Sequence, residues 1–408
     1  MNVLYISYDG LTDPLGQSQI IPYLTGLAQK GHSITVLATE KKHPFAQQNL
    51  KILSVLQKYN IKWVPVNYTK YPPVLSGVWN VFKLKRRAIS ICKQQDITVV
   101  HCRSYVSSLV GIYLKSKFHT KFIFDMRGFW ADERLEGNIW NRNNILYRYI
   151  YKYFKKKEKD FLIHADHVIC LTENSKKEIL SWNNIPGQPV KVEVIPCCAD
   201  LRHFSKENIN TWIQNELKDD LRITNDDFIL SYLGSIGTWY MLDEMLQFFK
   251  RLLIKKPTAK FLFITTESRE LIIRAVKKNE VPPDRVIIQK SAREEVPVLL
   301  SLSKLSVFFI KPVFSKKASS PTKMGEVLSM GIPVICNSNI GDVDSIIKES
   351  GCGILVDNFG DEYYDKAIDK IDNLLLINKD KVISTAEKYF SLEKAISIYN
   401  KVYQEVMK

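Results

Sequence analysis

The run Ser319-Ser320-Pro321-Thr322-Lys323-Met324-Gly325-Glu326 places hydroxyls, a lysine and a carboxylate where they can hold an anion and a diol together. Ser319 or Ser320 suits the N-cap of a helix, and Pro321 suits its first turn. The free N–H groups of such a helix start, with Lys323 beside them and Thr322 within the turn, make an anion site. Glu326 follows Lys323 by three positions, one turn deeper on about the same face. A carboxylate there can take both hydrogen bonds of a ribose diol while a diphosphate lies over the helix start. The pattern fits a nucleoside diphosphate. An ordinary capped helix with a solvated Lys/Glu pair would carry the same residues.

Three other segments hold candidates. The loop from Asp9 to Ser18 includes Asp13, Gly16 and Gln17, and its glycines Gly10 and Gly16 would let a substrate approach closely. A plain Gly/Pro connection reads the same way. Gly-x-Gly-x-x-Gly is absent, which argues against a dehydrogenase. Asp125 and Arg127 follow an apolar run, so they fall at a strand's carboxyl end; they either pair with each other, or split, Arg127 taking phosphate and Asp125 orienting an acceptor hydroxyl. His101 and Arg103 are weaker acceptor-side candidates, His101 being of a kind that is more often structural. Asp342-Val343-Asp344 reads as loop rather than metal ligand, and no Cys/His spacing suits zinc. No metal and no cofactor is predicted.

Short apolar runs alternate with helical patterns along the whole chain, which predicts α/β architecture with parallel sheets. Val3–Ile6, Ile34–Ala38, Thr98–His101, Phe122–Asp125, Val168–Leu171 and Val192–Ile195 form a first series of strands, with a helix over Gln19–Lys30 stopped by Gly31. A polar stretch to about Asn225 reads as the connection between domains. Phe228–Leu233, Phe261–Ile264, Val286–Ile288, Val307–Ile310, Val334–Cys336 and Gly353–Val356 form a second series. The reading is two doubly wound domains facing one cleft, 1–200 and 201–388, with 389–408 as a helix packing back toward the first domain. Loops after strands are then the places for ligands.

A chain of 408 residues with 45% hydrophobic and 25% charged residues fits two globular domains. No apolar run is long enough for a transmembrane helix and the N-terminus reads as a first strand rather than a signal peptide, so a cytoplasmic protein is expected. The seven cysteines read as small buried hydrophobes. Of the net charge of +15, nineteen Lys/Arg against seven Asp/Glu lie between Lys70 and Asp160. The stretches Val81–Arg87 and Tyr147–Lys159 mix aromatics with basic residues. They suit the surface of an anionic membrane, or equally a helix whose aromatic face is in the core and whose lysines are solvated. No nucleic-acid-binding motif is present.

Ser-x-Pro-Thr-Lys-x-Gly-Glu…Gly-x-Pro-Val-Ile, from Ser319 to Ile335, resembles the donor motif of the GT-B-fold retaining glycosyltransferases of glycosyltransferase family 4. Leu233-Gly234-Ser235, Pro196–Asp200 with Phe204, and Gly341–Asp344 are similar to further family segments in the same order. The first loop and Phe124–Glu133 look like segments of a subgroup that builds bacterial surface polysaccharides. The resemblance covers nearly the whole chain. It implies a GT-B fold, a UDP- or GDP-sugar donor, a glycan or lipid-linked acceptor, and a front-face retaining transfer in which the leaving diphosphate helps deprotonate the incoming hydroxyl. It implies donor contacts from Gly234, Ser235, Gly237, Thr238, Ser319, Ser320, Pro321, Thr322, Lys323 and Glu326, with catalytic roles for Asp125, Arg127, Lys323 and Glu326. Two departures stand out. The family's first glutamate, on the sugar, falls on Ala318, and the diphosphate-binding Arg and Lys are missing from Gly234–Tyr240. Backbone N–H groups at Gly237–Thr238, Lys323, and Arg293 or Lys311 are left to supply the positive charge. A catalytically silent nucleotide-sugar-binding protein, or a GT-B nucleotide-sugar epimerase, are the alternatives.

Overall fold

The apolar runs at the centre of each sheet fold as parallel strands because they are buried on both faces, leaving no polar face to present to water. In the computed structural model, which describes residues 1–183, 185 and 191–408, the chain divides into two compact units: Met1–Cys197 with Leu392–Lys408, and Cys198–Ser391.

The first unit runs β1 (Asn2–Ser7), α1 (Pro14–Gln19), α2 (Ile21–Gln29), β2 (Ser33–Glu40), α3 (Lys42–Lys58), β3 (Lys62–Asn67), α4 (Leu75–Gln94), β4 (Val99–Arg103), α5 (Ser104–Phe118), β5 (Lys121–Asp125), α6 (Trp130–Glu136), α7 (Ile145–His164), β6 (His167–Cys170), α8 (Glu173–Leu180) and β7 (Val192–Val194). Its seven strands lie in the order β3-β2-β1-β4-β5-β6-β7, with Val3 opposite Ile34 on one side and Val99 on the other. The second unit runs α9 (Thr211–Asp220), β8 (Phe228–Leu233), α10 (Leu242–Lys255), β9 (Ala259–Ile264), α11 (Arg269–Lys278), β10 (Val286–Gln289), α12 (Val296–Ser301), β11 (Leu305–Phe308), α13 (Thr322–Ser329), β12 (Val334–Asn337), α14 (Val343–Ser350), β13 (Gly353–Val356), α15 (Asp361–Ile368), α16 (Ile371–Leu375) and α17 (Lys379–Phe390). Its six strands lie in the order β10-β9-β8-β11-β12-β13.

Both sheets reverse direction of winding beside their first strand, between β1 and β4 and between β8 and β11. Ligands of doubly wound sheets bind outside the carboxyl ends at such a reversal. The last helix, α18 (Leu392–Glu405), packs on α2 within the first unit. Gly26 makes this possible: a Cβ there would stand 2.2 Å from Ile396 Cδ1.

Three sequence expectations are corrected and one strand is added. The loop after β1 is shorter than Asp9–Ser18, because Pro14 starts a helix and its missing N–H costs nothing there. The polar connection to Asn225 contains α9, capped by the Asn210 side chain on Trp212 and Ile213. The strand expected at Val307–Ile310 pairs over Leu305–Phe308, while Ile310 forms an isolated antiparallel bridge to Tyr240. β3 was not anticipated: it is a partly exposed edge strand, and Pro65 within it breaks the expected signature.

Candidate functional site

At the carboxyl edge of the second sheet, the chain leaves β8 through Gly234 at φ +111°, a conformation that favours glycine. Tyr232 pins this turn by donating its hydroxyl to the Ser235 carbonyl at 2.6 Å. Tyr240 N–H closes it on the Gly237 carbonyl at 3.1 Å, and Lys311 N–H reaches the Trp239 carbonyl at 2.9 Å. Ser235, Gly237 and Thr238 are exposed along it, and Gly234 is half-buried.

Lys323, in the first turn of α13, reaches under this loop. Its Nζ donates to the Tyr232 hydroxyl at 2.9 Å and lies 4.1 and 3.6 Å from the ring centres of Tyr232 and Tyr240. A Cβ at Gly234 would stand 3.1 Å from Nζ, so the glycine keeps the approach open. Burial holds the Lys323 ammonium well below the usual lysine range, against the attraction of Glu326. Glu326 is itself 7% exposed. Burial pushes its carboxyl up, while Arg293, Lys323 and His203 pull the other way. Arg293 Nη1 lies 3.2 Å from Glu326 Oε1, its guanidinium is 5.3 Å from the Phe204 ring centre, and its carbonyl is 3.0 Å from His203 Nε2. The lysine and the carboxylate expected from sequence therefore meet on one buried helix start, next to the loop from Gly234.

The N-cap of α13 is Pro321, neither Ser319 nor Ser320. Both serines belong to the extended entry that follows a 3-10 turn over Phe314–Ala318. They and Thr322 are half-buried beside the helix start. Of the two extra cations proposed from sequence, Arg293 faces the acid and Lys311 is exposed. The cation brought to the loop is Lys316. It is 5% exposed, and its Nζ lies 3.7 Å from the Trp239 ring centre. Nothing in the pair Lys316-Lys317 distinguishes it in sequence. Ala318 is buried at 3% exposure, so a methyl group stands where the resembling family has its first glutamate. Asp344, read from sequence as loop, lies in the first turn of α14 and accepts the Asn339 N–H at 2.8 Å, and Asp342 occupies the N-cap position of that helix.

The first unit gathers a second cluster at its own sheet reversal. Arg103 ends β4 and Asp125 ends β5, directly opposite each other. Asp125, 1% exposed, accepts the Tyr399 hydroxyl at 3.1 Å, stands 3.4 Å from His101 Nε2 and 3.8 Å from Arg127 Nη1. Burial works to raise its carboxyl, yet Arg127, His101 and Arg103 together hold it below the ordinary value. Arg127 Nη2 donates to Cys197 Sγ at 3.1 Å. The backbone turns left-handed at Ser104 (φ +66°) and at Arg127 (φ +56°), right where these strands end. Non-glycine residues in that region cluster at functional sites. Nε and Nη1 of both Arg103 and Arg127 are buried without a hydrogen-bond acceptor, an arrangement suited to receiving an anion.

His101 is 1% exposed, with Nδ1 2.8 Å from the Tyr403 hydroxyl. It supports Asp125 from below and presents no surface to an acceptor. Gly10 and Gly16 also serve internal packing rather than substrate access. A Cβ at Gly16 would stand 2.1 Å from the Gly10 carbonyl oxygen, and one at Gly10 would stand 2.6 Å from Glu40 Oε2. Glu40, which sequence reasoning missed, anchors the loop after β1. Its carboxylate accepts Leu11 N–H at 2.7 Å and the Thr12 hydroxyl at 2.6 Å. Asp13 pairs with Lys41 at 2.9 Å, and Gln17 donates to Gln48 at 2.6 Å. Asp9 lies 3.7 Å from Arg103 Nε, so the loop after β1 and the end of β4 meet.

Comparison with known proteins agrees with both units. Residues 23–203 match Glycosyltransferase Family 4, and residues 213–387 match Glycosyl transferases group 1. No curated protein matches the sequence significantly. Among solved structures, sucrose-phosphate synthase from Thermosynechococcus elongatus is similar at TM-score 0.75 and 14% identity, covering 100% of this chain and 99% of that one. Anabaena HepE, solved in complex with UDP and glucose, is similar at TM-score 0.69 and 11% identity, covering 99% of each chain. WaaG, described as a glycosyltransferase involved in lipopolysaccharide biosynthesis, is similar at TM-score 0.68 and 13% identity, covering 97% of this chain and 99% of that one. With two parallel-sheet Rossmann-like domains and matches to both family domains, the chain belongs to the GT-B-fold glycosyltransferases of the family 4 type.

Proposed function

We propose that this glycosyltransferase moves a hexosyl group from a UDP- or GDP-sugar to a glycan or lipid-linked acceptor, with retention, in surface-polysaccharide synthesis. The observation that carries this reading is the buried pair Lys323 and Glu326 at the start of α13, beside the glycine turn after β8. HepE was solved with UDP-glucose and WaaG acts in lipopolysaccharide biosynthesis, which supports the donor and acceptor classes by analogy.

In this reading the diphosphate lies over the N-terminus of α13, with Ser319, Ser320 and Thr322 at its edge. Gly234, Ser235, Gly237 and Thr238 offer backbone and hydroxyl groups from the facing loop. Lys323 and Lys316 compensate charge as the leaving diphosphate departs. Glu326 accepts the ribose diol, and Arg293 swings from the carboxylate toward phosphate. Arg103 and Arg127 receive an anionic part of the acceptor, and Asp125 positions Arg127 rather than meeting the sugar. The incoming hydroxyl loses its proton to the leaving diphosphate, so neither a protein nucleophile nor a metal is required. Localisation is proposed as cytoplasmic, peripheral on the inner membrane face; among the described residues no helix is long and apolar enough to cross a membrane.

Incubation with labelled UDP- and GDP-sugars, with and without lipid-linked glycans, tests the proposal. Transfer with retained anomeric configuration is expected. A second reading, a silent nucleotide-sugar-binding protein, draws on the buried methyl at Ala318; binding without turnover on any acceptor would favour it. Isomerised donor without acceptor would instead mark an epimerase.

A further inference from the structure

The first unit carries large apolar side chains in water that its core does not use. On the approach to α4 and along its first turns, Tyr71, Leu75, Val78, Trp79 and Phe82 are 68, 68, 66, 52 and 51% exposed. Their spacing follows one face of the helix. Trp79 and Phe82 stack on each other in the open, ring centres 5.3 Å apart at 18°. On α7, Ile145, Leu146, Tyr149 and Tyr153 are 67, 49, 65 and 47% exposed. Contiguous exposure of this kind marks an interaction surface.

The charge around these side chains is of one sign. Tyr68–Gln95 contains six Lys/Arg and no Asp/Glu, and Asn138–Lys157 contains six Lys/Arg and no Asp/Glu. Arg86 and Arg87 are exposed one turn beyond Phe82, and Arg148 and Lys152 are exposed among the apolar residues of α7.

Topology puts both segments at one edge of the sheet. α5 packs on β4 and β5, and α4 and α7 each pack on α5, so the three helices share one layer. α4 ends just before β4 begins and α7 ends just before β6 begins. Each helix therefore finishes at the amino edge and starts at the carboxyl edge, where Arg103 and Arg127 lie. A direct chain of contacts joins α4 to Arg103: Asn80 on α4 donates to the Tyr8 hydroxyl at 3.1 Å, Tyr8 precedes Asp9, and Asp9 faces Arg103.

We propose that the starts of α4 and α7 form a single docking face for an anionic phospholipid bilayer, with Leu75, Trp79 and Phe82 entering the headgroup boundary and Arg86 and Arg87 on the lipid phosphates. Tryptophan and tyrosine favour that boundary because each has an apolar body and a polar tip. Acid-free basic flanks favour negative headgroups over a protein surface of mixed charge. The inference deepens the lipid-linked acceptor reading, because the face adjoins the acceptor-side arginines. It is tested without donor or turnover, so failure of either leaves the other standing.

The test is sedimentation of the full chain with phosphatidylglycerol vesicles and with pure phosphatidylcholine vesicles. Binding to the first and at least about tenfold weaker binding to the second is expected, since each basic residue near an anionic surface is worth roughly fivefold. Trp79→Ser with Phe82→Ser, and separately Arg86→Glu with Arg87→Glu, should each weaken binding by about tenfold or more, with thermal stabilisation by UDP or GDP unchanged. Should a double variant fold poorly, Trp79→Phe decides: it should still sediment but lose part of the tryptophan quenching by brominated lipid. Absent sedimentation, undiminished binding by the variants, or quenching unchanged in Trp79→Phe would overturn the proposal. A concentration-dependent dimer dissolved by Trp79→Ser with Phe82→Ser would overturn it too, assigning the face to a second copy.

Discussion

Lys323 and Glu326 are buried ionisable groups that oppose each other across one helical turn, and this makes their binding chemistry titratable. Burial favours neutral Lys323, whereas an arriving diphosphate favours the ammonium. Donor binding should therefore take up a proton where the pH lies between the lysine's lowered value in the free protein and its higher value in the complex, and affinity should fall as pH rises through that range. Calorimetry in buffers of different ionisation enthalpy measures this uptake, and no uptake at any pH would contradict it. Glu326→Ala should weaken UDP or GDP by about tenfold or more, the equivalent of the ~1.5–3 kcal/mol of charged hydrogen bonds lost. The readout is loss of thermal stabilisation by the nucleotide. Ala318→Glu asks the complementary question: it forces a carboxylate into a buried position, and gain of turnover would show that the missing acid limits the enzyme.

At the scale of elements, α13 is held by a glycine. Gly325 faces α17, and a Cβ there would stand 2.7 Å from Phe390. Gly325→Ala should cost roughly 1–3 kcal/mol by overpacking, lowering Tm by several degrees and displacing Glu326, its neighbour. A melting curve with and without UDP separates these effects. α18 plays the comparable part in the first unit, because Tyr399 and Tyr403 hold Asp125 and His101. Removing 392–408 should unfold that unit, since it strips several fully buried side chains worth ~1.5–3 kcal/mol each. Retained near-UV dichroism of the truncated chain would count against it.

The whole molecule should respond unequally to acid. His32, His101 and His167 all lie in the first unit, and burial lowers each below the ordinary histidine value. The folded unit keeps them neutral, while the unfolded chain protonates them near pH ~6.5. Stability is then fully present above that pH and is lost as pH falls below it. Denaturant unfolding between neutral pH and pH ~5 should show the first unit's transition moving to lower denaturant. Chelation should leave transfer unchanged, because lysines and the helix start carry the charge compensation proposed for the leaving group.

Alternation of apolar runs with helical patterns was legible in sequence and determined two parallel α/β sheets, because burial on both faces demands continuous apolar strands. The Lys323–Glu326 spacing was legible too, since helical geometry alone puts those residues on one face. Tertiary structure alone decided the rest. It chose Lys316 over Lys311 by placing Trp239 against it, turned Gly10 and Gly16 inward onto Glu40 and the first loop, and withdrew His101 beneath Asp125. Except for Gly16, which meets its own loop, each of those outcomes depends on a partner far away in the chain, and no local pattern of residue types encodes which distant side chain will arrive.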